Sequence, residues 1–298
     1  MKIFVGLFLV FSTLLYCPVH AMSHNDEGEE REKLIHTSAS QRLVRDSDEK
    51  RSNTEDTCFK RMVRRSQNFC YQVMARTCWD SIMQGFKPGR IIALEALDIQ
   101  SDDKVLFVGE GTGLDFEVLP ERFNKNNLKA FDFSPEMVKK SKLKAAKFGI
   151  PEKNCFVADA QHLPFIDEKF DKIYFPLSLG SIPDPTLALR ETERVLSPRG
   201  KIVVMEKLVD DGYHPSYMRQ FLNFFTQFIF ADINRNLTQM MGENSLLKVI
   251  YYRSLENELS GFFMNKISAA YRVATLVRDS DYPEASSFGA RLSKEKDD

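Results

Sequence analysis

Residues 104–132 read KVLFVGEGTGLDFEVLPERFNKNNLKAFD, and the fold follows from them. An apolar run, Val105, Leu106, Phe107 and Val108, is bounded by charge and reads as a buried strand. Gly109, Gly111 and Gly113 follow at G-x-G-x-G spacing, with a short helical pattern from Leu114. A second apolar stretch ends in Asp132, about 20 residues past the last glycine. Strand, glycine turn, helix and an acid closing the next strand make a nucleotide-binding βαβ unit. The glycines let the backbone turn tightly and approach a ligand without Cβ clashes. The carboxylate at the second strand's end can accept hydrogen bonds from both hydroxyls of a ribose. The competing reading is a loop whose glycines serve the turn alone.

Downstream, the α/β alternation continues. Ser134-Pro135-Glu136 opens a helix with an N-cap, a proline at the first position and an acid in the first turn. It runs through Lys147 and stops at Gly149-Ile150-Pro151. Residues 154–158 read as a third strand ending in Asp159-Ala160, 172–177 as a fourth, 184–196 as a helix, and 201–205 as a fifth strand after the turn Ser197-Pro198-Arg199-Gly200. This order predicts a mostly parallel sheet with helices on both faces and ligands at the strands' carboxyl ends. The glycine spacing leans towards S-adenosylmethionine over NAD, because a dehydrogenase would carry its third glycine where Leu114 stands. Residues 246–252 and 261–272 read as two further strands.

Composition is that of a globular chain of 298 residues with a net charge of -1. A pI near 6.6 gives no reason to expect a nucleic-acid partner. Residues 1–21 read as a secretory signal: Lys2, an apolar run from Ile3 to Cys17, and small residues at Val19-His20-Ala21. The expected location is periplasmic, secreted or membrane-tethered, with cytoplasmic as the alternative, since S-adenosylmethionine is made in the cytosol. Residues 22–56 are charged and aperiodic and read as a disordered linker. The domain is expected over 57–277 and a flexible tail over 278–298. Cys58, Cys70, Cys78 and Cys155 match no zinc spacing, so no metal is expected and buried thiols are the default.

The runs VLFVGEGTG, FDFSPEM, VADAQHLPF-x-x-x-x-FD and ALRETERVLSPRGKIVVME resemble the class I S-adenosylmethionine-dependent methyltransferases. They are most similar to the branch holding the ubiquinone/menaquinone-biosynthesis methyltransferases and the bacterial soluble-type phosphatidylethanolamine N-methyltransferases. FKPGRIIALEALDIQSDDKVL and LGSIPDPTLALRETERVL are similar to the latter. The resemblance covers roughly residues 71–272. It implies a Rossmann-like seven-stranded, mostly parallel sheet with its last strand antiparallel, under an N-terminal helical cover, with S-adenosyl-L-methionine as cofactor.

Carried over residue by residue, the resemblance places Gly109, Gly111 and Gly113 along the methionine and ribose part of the cofactor. Asp132 would hold the ribose hydroxyls, Phe133 or Met137 would flank the adenine, and Asp159 with Ala160 would bind its edge. Pro176, Leu177 and Ser178 would face cofactor and substrate. The sequence departs from the family at Phe107, where an acid usually helps to hold the cofactor's ammonium group; Glu110 is the candidate substitute. Arg199 also replaces the first glycine of the usual Pro-Gly-Gly.

The helical stretch 57–85 carries Tyr71 and Trp79, candidates for a substrate lining as well as for core packing. Residues 216–231, SYMRQFLNFFTQFIFA, hold five Phe in one expected helix. Met218, Phe221, Leu222, Phe225, Phe228 and Ile229 share a face at i, i+3, i+4 spacing. That face suits the core, a lid over an apolar substrate with Phe221 and Phe225 in contact, or peripheral membrane contact. Asp232 to Arg235 would brace it, and Asn236-Leu237-Thr238 forms a glycosylation sequon. For proton transfer the candidates are Glu206, Tyr213 and His214. Two readings result: a methyltransferase acting on a small or lipid-like acceptor (a phospholipid headgroup amine or a quinone-like ring), or a non-catalytic protein of the same fold that binds partners outside the cytosol.

Overall fold

The computed structural model describes residues 62–63, 65–67, 69–71, 73, 79–229, 231–242, 245–255, 258 and 271–281. The expected signal peptide and linker lie outside them. Strand β1 (Val105–Val108) is buried along its whole length. Its pleat sends Val105 and Phe107 into one apolar cluster and Leu106 and Val108 into another on the opposite face.

β1 pairs in parallel with β2 (Leu128–Asp132), which pairs with β3 (Cys155–Val157). On its other side β1 pairs in parallel with β4 (Phe170–Pro176), and β4 with β5 (Leu196–Lys207). An antiparallel pair, β6 (Leu247–Ser254) and β7 (Tyr271–Arg278), adds through β7 to β5. Among the described residues the strand order is β3-β2-β1-β4-β5-β7-β6, the expected seven-stranded arrangement. Helix α1 (Trp79–Met83) leads towards α2 (Lys87–Leu97). The latter packs with residues of α3 (Pro135–Lys147) against one face of the sheet. The other face is covered by α4 (Pro185–Val195) and, further along the chain, α6 (Leu237–Met241).

The local chemistry of these elements is legible with some exceptions. Asp184 caps α4 through Leu187 N–H at 3.0 Å. Ser134 stands at the cap of α3, but its hydroxyl caps nothing. Its backbone N–H donates instead to Asp132 Oδ1 at 2.7 Å. Strand β5 begins at Leu196, earlier than expected. Leu196 pairs with Phe170 and Lys201 with Lys172, so the turn 197–200 bulges out within the strand, Arg199 taking φ 57°.

Of the expected strand 261–272, residues 261–270 lie outside the described residues, and its end is corrected: β7 runs on to Arg278, with Tyr271 opposite Lys207. Its buried run Val273, Ala274, Leu276 and Val277 fixes that register. The domain also continues past 277. Arg278 Nη2 donates to the carbonyls of Glu193 and Leu196 at 2.8 and 2.7 Å, and Arg199 N–H donates to Asp281 at 2.8 Å.

The Phe-rich segment forms α5 (Tyr217–Ile229). Its Met218, Phe221 and Leu222 are at least half exposed, so at those positions the apolar face looks to solvent rather than into the core. Residues 232–235 brace it as expected: Arg219 donates to Asn234 Oδ1 and to Ile233 O at 2.8 and 2.7 Å. Asn236 is buried and caps α6 by accepting from Gln239 N–H at 2.9 Å, a role that withdraws the sequon's acceptor side chain from solvent. Among the described residues no helix is long and apolar enough to cross a membrane.

Phe107 is fully buried, its ring 6.4 Å from Phe116 and 5.2 Å from Tyr174. Cutting it to alanine opens a cavity beneath the glycine turn. Phe107→Ala should therefore lower the unfolding free energy by about 3–5 kcal/mol, read by urea denaturation.

Candidate functional site

The chain winds from β1 outwards through β2 and β3 on one side, and through β4 and β5 on the other. Where the order reverses, a crevice opens at the carboxyl ends of β1 and β4. A cavity lies there, about 960 Å³ of open space when the solvent at its mouth is counted.

The glycine turn forms its floor. Gly109 N–H and Glu110 N–H both donate to Phe131 O, at 2.8 and 3.1 Å, and Gly111 N–H donates to Asp132 Oδ2 at 3.0 Å. Gly109 has φ 71°, and a Cβ there would fall 2.5 Å from the Cβ of Ser178. No other residue fits that position without displacing β4's end. Gly113 also has positive φ, with the Phe116 ring filling its Cβ space. It is not on the cavity wall itself, but its neighbours Thr112 and Leu114 are.

Asp132 accepts one backbone N–H on each carboxylate oxygen, leaving a lone pair on each for a ribose hydroxyl. Burial pushes its pKa up to about 6. Beside it Glu110 is 4% exposed, and neither carboxyl oxygen has a hydrogen bond. Burial, then the Asp132 charge, holds the Glu110 carboxyl well above the usual range, with Ser141 opposing. Glu110 thus faces Asp132 and Ser141, whereas Phe107 packs on Phe116 and Tyr174. Glu110 lines the cavity.

Phe133, Met137, Asp159, Ala160 and Pro176 all line the cavity. Asp159 Oδ1 accepts from Gln161 N and Nε2 at 3.1 and 3.0 Å. Gln161 Oε1 accepts from Asp184 N at 3.1 Å, tying this edge to the α4 cap. At the end of β4, Leu177 takes φ 56°, a conformation rare for a branched side chain. Its N–H donates to Met205 O at 2.8 Å, and Ser178 Oγ donates to Val108 O at 2.5 Å.

The N-terminal cover closes the cavity from above. Tyr71 and Trp79 line it and meet edge to face at 5.4 Å. Asp80 accepts from Thr112 Oγ1 at 2.5 Å and pairs with Lys144 Nζ at 2.7 Å. Burial works against the Asp80 carboxylate, but Lys144 and Thr112 outweigh it and hold its pKa below the usual range. Gln67 Nε2 reaches Gln227 O at 2.6 Å, joining cover to α5.

Other expected site residues stay apart. Phe221, Phe225, Tyr213, His214 and Glu206 do not line the cavity. Phe221 is exposed and meets Phe225 edge to face at 5.0 Å. Tyr213 lies under the Arg219 guanidinium at 5.5 Å. Both Glu206 oxygens are engaged by backbone, Oε2 by Gly180 N at 2.8 Å and Oε1 by Lys207 N at 2.9 Å. Sequence reasoning missed Arg90, Asp115, Met83 and Ser181, which do line it. One signal for Arg90 was available: it falls at i, i+4, i+7 with Leu94 and Leu97, a charge on the buried face of α2.

Residues 106–204 match the family model described as a methyltransferase domain. The ubiquinone/menaquinone biosynthesis C-methyltransferase UbiE of Rickettsia peacockii is 34% identical over 117 residues, 39% of this chain and 46% of that protein. The enzyme of the same name from Bartonella quintana is 36% identical over 108 residues, 36% of this chain and 42% of that protein. The chain therefore matches under half the length of these relatives. Among solved structures, a chain from the complex of the Haloferax volcanii Trm112 methyltransferase activator with a methyltransferase superposes with TM-score 0.54 at 17% identity, covering 71% of this chain and 97% of that one. Geranyl diphosphate C-methyltransferase from Streptomyces coelicolor gives 0.53 at 16% identity, over 64% and 77%. The structural likenesses carry the fold. Together with the sequence matches they support the resemblance: this domain has the class I methyltransferase fold and, over the matched stretch, is similar to the UbiE C-methyltransferases.

Burial of Asp132 has a measurable consequence. Its carboxyl carbon, followed by NMR, should titrate with a midpoint near 6, against about 3.9 for an unperturbed aspartate.

Proposed function

We propose that the protein transfers a methyl group from S-adenosylmethionine to a small acceptor with an apolar body, in the first instance a carbon of a quinone-like ring. The observation that carries this is the convergence, at the β1–β4 crevice, of the glycine turn, Asp132 and the Asp159–Ala160 edge on one cavity. These residues fit an adenosyl ligand: Asp132 keeps lone pairs free beside a turn without side chains. Phe133 and Met137 offer apolar surface for an adenine. The relatives' names support a ring carbon as acceptor.

The cofactor supplies a methyl already activated on a sulfonium. The protein's work is to bind, orient and exclude water. Gly109 and Gly111 bring backbone close, Asp132 fixes the ribose, and the latch of Asp80 on Thr112 and Lys144 holds Trp79 over the turn. Tyr71 and Ser181 line the same cavity. Burial pushes the Tyr71 hydroxyl up, with Ser181 opposing, so it stays protonated. The exposed apolar face of α5, linked to the cover through Gln67, suits an acceptor delivered from an apolar environment. A second reading, the same fold kept for binding without catalysis, draws on Phe107 in place of the family's acid.

The test is transfer of isotope-labelled methyl from S-adenosylmethionine to a short-chain demethylquinol, with phosphatidylethanolamine vesicles as the comparison. Label in the quinol, reduced at least about 10-fold in Asp132→Ala, is the expected result. Label in the lipid alone would replace the acceptor class. Label in neither, with the cofactor bound, would favour the non-catalytic reading.

A further inference from the structure

One charged pair on the cavity wall has no part in the site as described so far. Arg90, from α2, is 3% exposed, and Asp115, just past the glycine turn, is 2% exposed. Both line the cavity. Arg90 Nη1 donates to Met83 O at 2.8 Å. Its Nε lies 3.4 Å from Asp115 Oδ2, an ion-pair distance, and makes no hydrogen bond. Asp115 Oδ1 is likewise buried without a partner.

Buried charges left half satisfied cost folding free energy and gain little from each other. What satisfies both orphan atoms at once is a zwitterion: an ammonium for the carboxylate and a carboxylate for the guanidinium. A simple anion would be repelled by Asp115, and a simple cation by Arg90. Burial raises the Asp115 pKa, with Arg90 and Tyr174 opposing it.

Position agrees with chemistry. Gly111 touches Asp132 at one end of the turn, and Asp115 follows the other end. Phe107, where the family resemblance expects an acid, abuts Tyr174 at 5.2 Å. The Tyr174 hydroxyl lies 3.6 Å from the Met205 sulfur and also within hydrogen-bonding reach of Asp115, lowering that carboxyl's pKa and raising its own. The negative charge absent at 107 therefore sits nearby, on a side chain from the next segment.

We infer that Arg90 and Asp115 together hold the α-amino-acid end of the adenosyl ligand, Asp115 receiving its ammonium group and Arg90 its carboxylate, in place of an acid at position 107. The inference rests on the methyltransferase reading above. Both are positioning residues that set cofactor affinity and take no part in bond making.

The test is calorimetric binding of three ligands to the full chain: S-adenosylhomocysteine, its desamino analogue lacking only the ammonium, and 5′-methylthioadenosine, which lacks the whole amino-acid end. S-adenosylhomocysteine should bind about 10- to 100-fold more tightly than either of the others. Asp115→Asn should erase its advantage over the desamino analogue, and Arg90→Gln most of its advantage over methylthioadenosine. Methylthioadenosine affinity should stay unchanged in both variants. Equal binding of all three by the wild type, or an advantage that persists in Asp115→Asn, overturns the inference while the adenosyl site stands. Binding of none overturns the methyltransferase reading itself. Should either variant fail to fold, a crystal of the wild type with S-adenosylhomocysteine decides: the ammonium nitrogen is expected about 3 Å from Asp115 Oδ1, and an ammonium held by other groups overturns the assignment.

Discussion

The arrangement depends on how the turn after β1 is pinned. Two successive N–H groups, of Gly109 and Glu110, share the carbonyl of Phe131, and the next, of Gly111, is taken by Asp132. This fixes the floor of the cavity to the end of β2, so that backbone and carboxylate keep one geometry. It works because Gly109 and Gly111 adopt positive φ and because Gly109 leaves room for Ser178. Strand β4, the cover helix and the Asp159–Ala160 edge are then placed around that fixed point. Here a local backbone constraint in a short stretch of sequence decides the position of an entire site.

Carboxylates crowd this region, and their environments separate them. Asp132 is buried but accepts two backbone N–H bonds, whereas Glu110 is buried with none. Asp115 faces Arg90, and Asp159 is held by Gln161. Coulomb repulsion between Glu110 and Asp132 favours one proton on the pair. At neutral pH the group with the better hydrogen bonds, Asp132, keeps the charge. That is the group a ribose needs. Phe107, in contrast, has gone over to packing: its ring fills the space under the turn between Phe116 and Tyr174. A position that resemblance marks for charge serves here as core.

Much of the fold was legible because its signals are local. The apolar run 105–108, the glycine spacing, Asp132 and the proline-started helix at 135 each report on neighbours in sequence, and all fell into place. Asp132, Asp159 and Ala160 could be placed because each ends or follows a strand, and strand ends point at the crevice. What sequence could not give depends on distant contacts. Tyr213 and His214 have the right chemistry but lie on a loop that carries them away from the cavity. Phe221 and Phe225 share a helical face whose direction only the docking of α5 decides. Asp115 becomes a wall residue only after α2 brings Arg90 against it, and nothing near position 115 in the chain announces that meeting. The end of β7 was misplaced because its register is set by β5, far upstream.

The account stands on the claim that this crevice receives an adenosyl ligand, and direct binding tests that most plainly. Titrating S-adenosylmethionine into the full chain by calorimetry should give a dissociation constant near the micromolar range, on the order of 8 kcal/mol. Removing the carboxylate in Asp132→Ala should weaken it by about 10-fold or more. Saturable binding lost in that variant is what the geometry requires. Heat no different from buffer up to millimolar ligand, with the protein folded, would contradict it and leave the crevice without its proposed occupant.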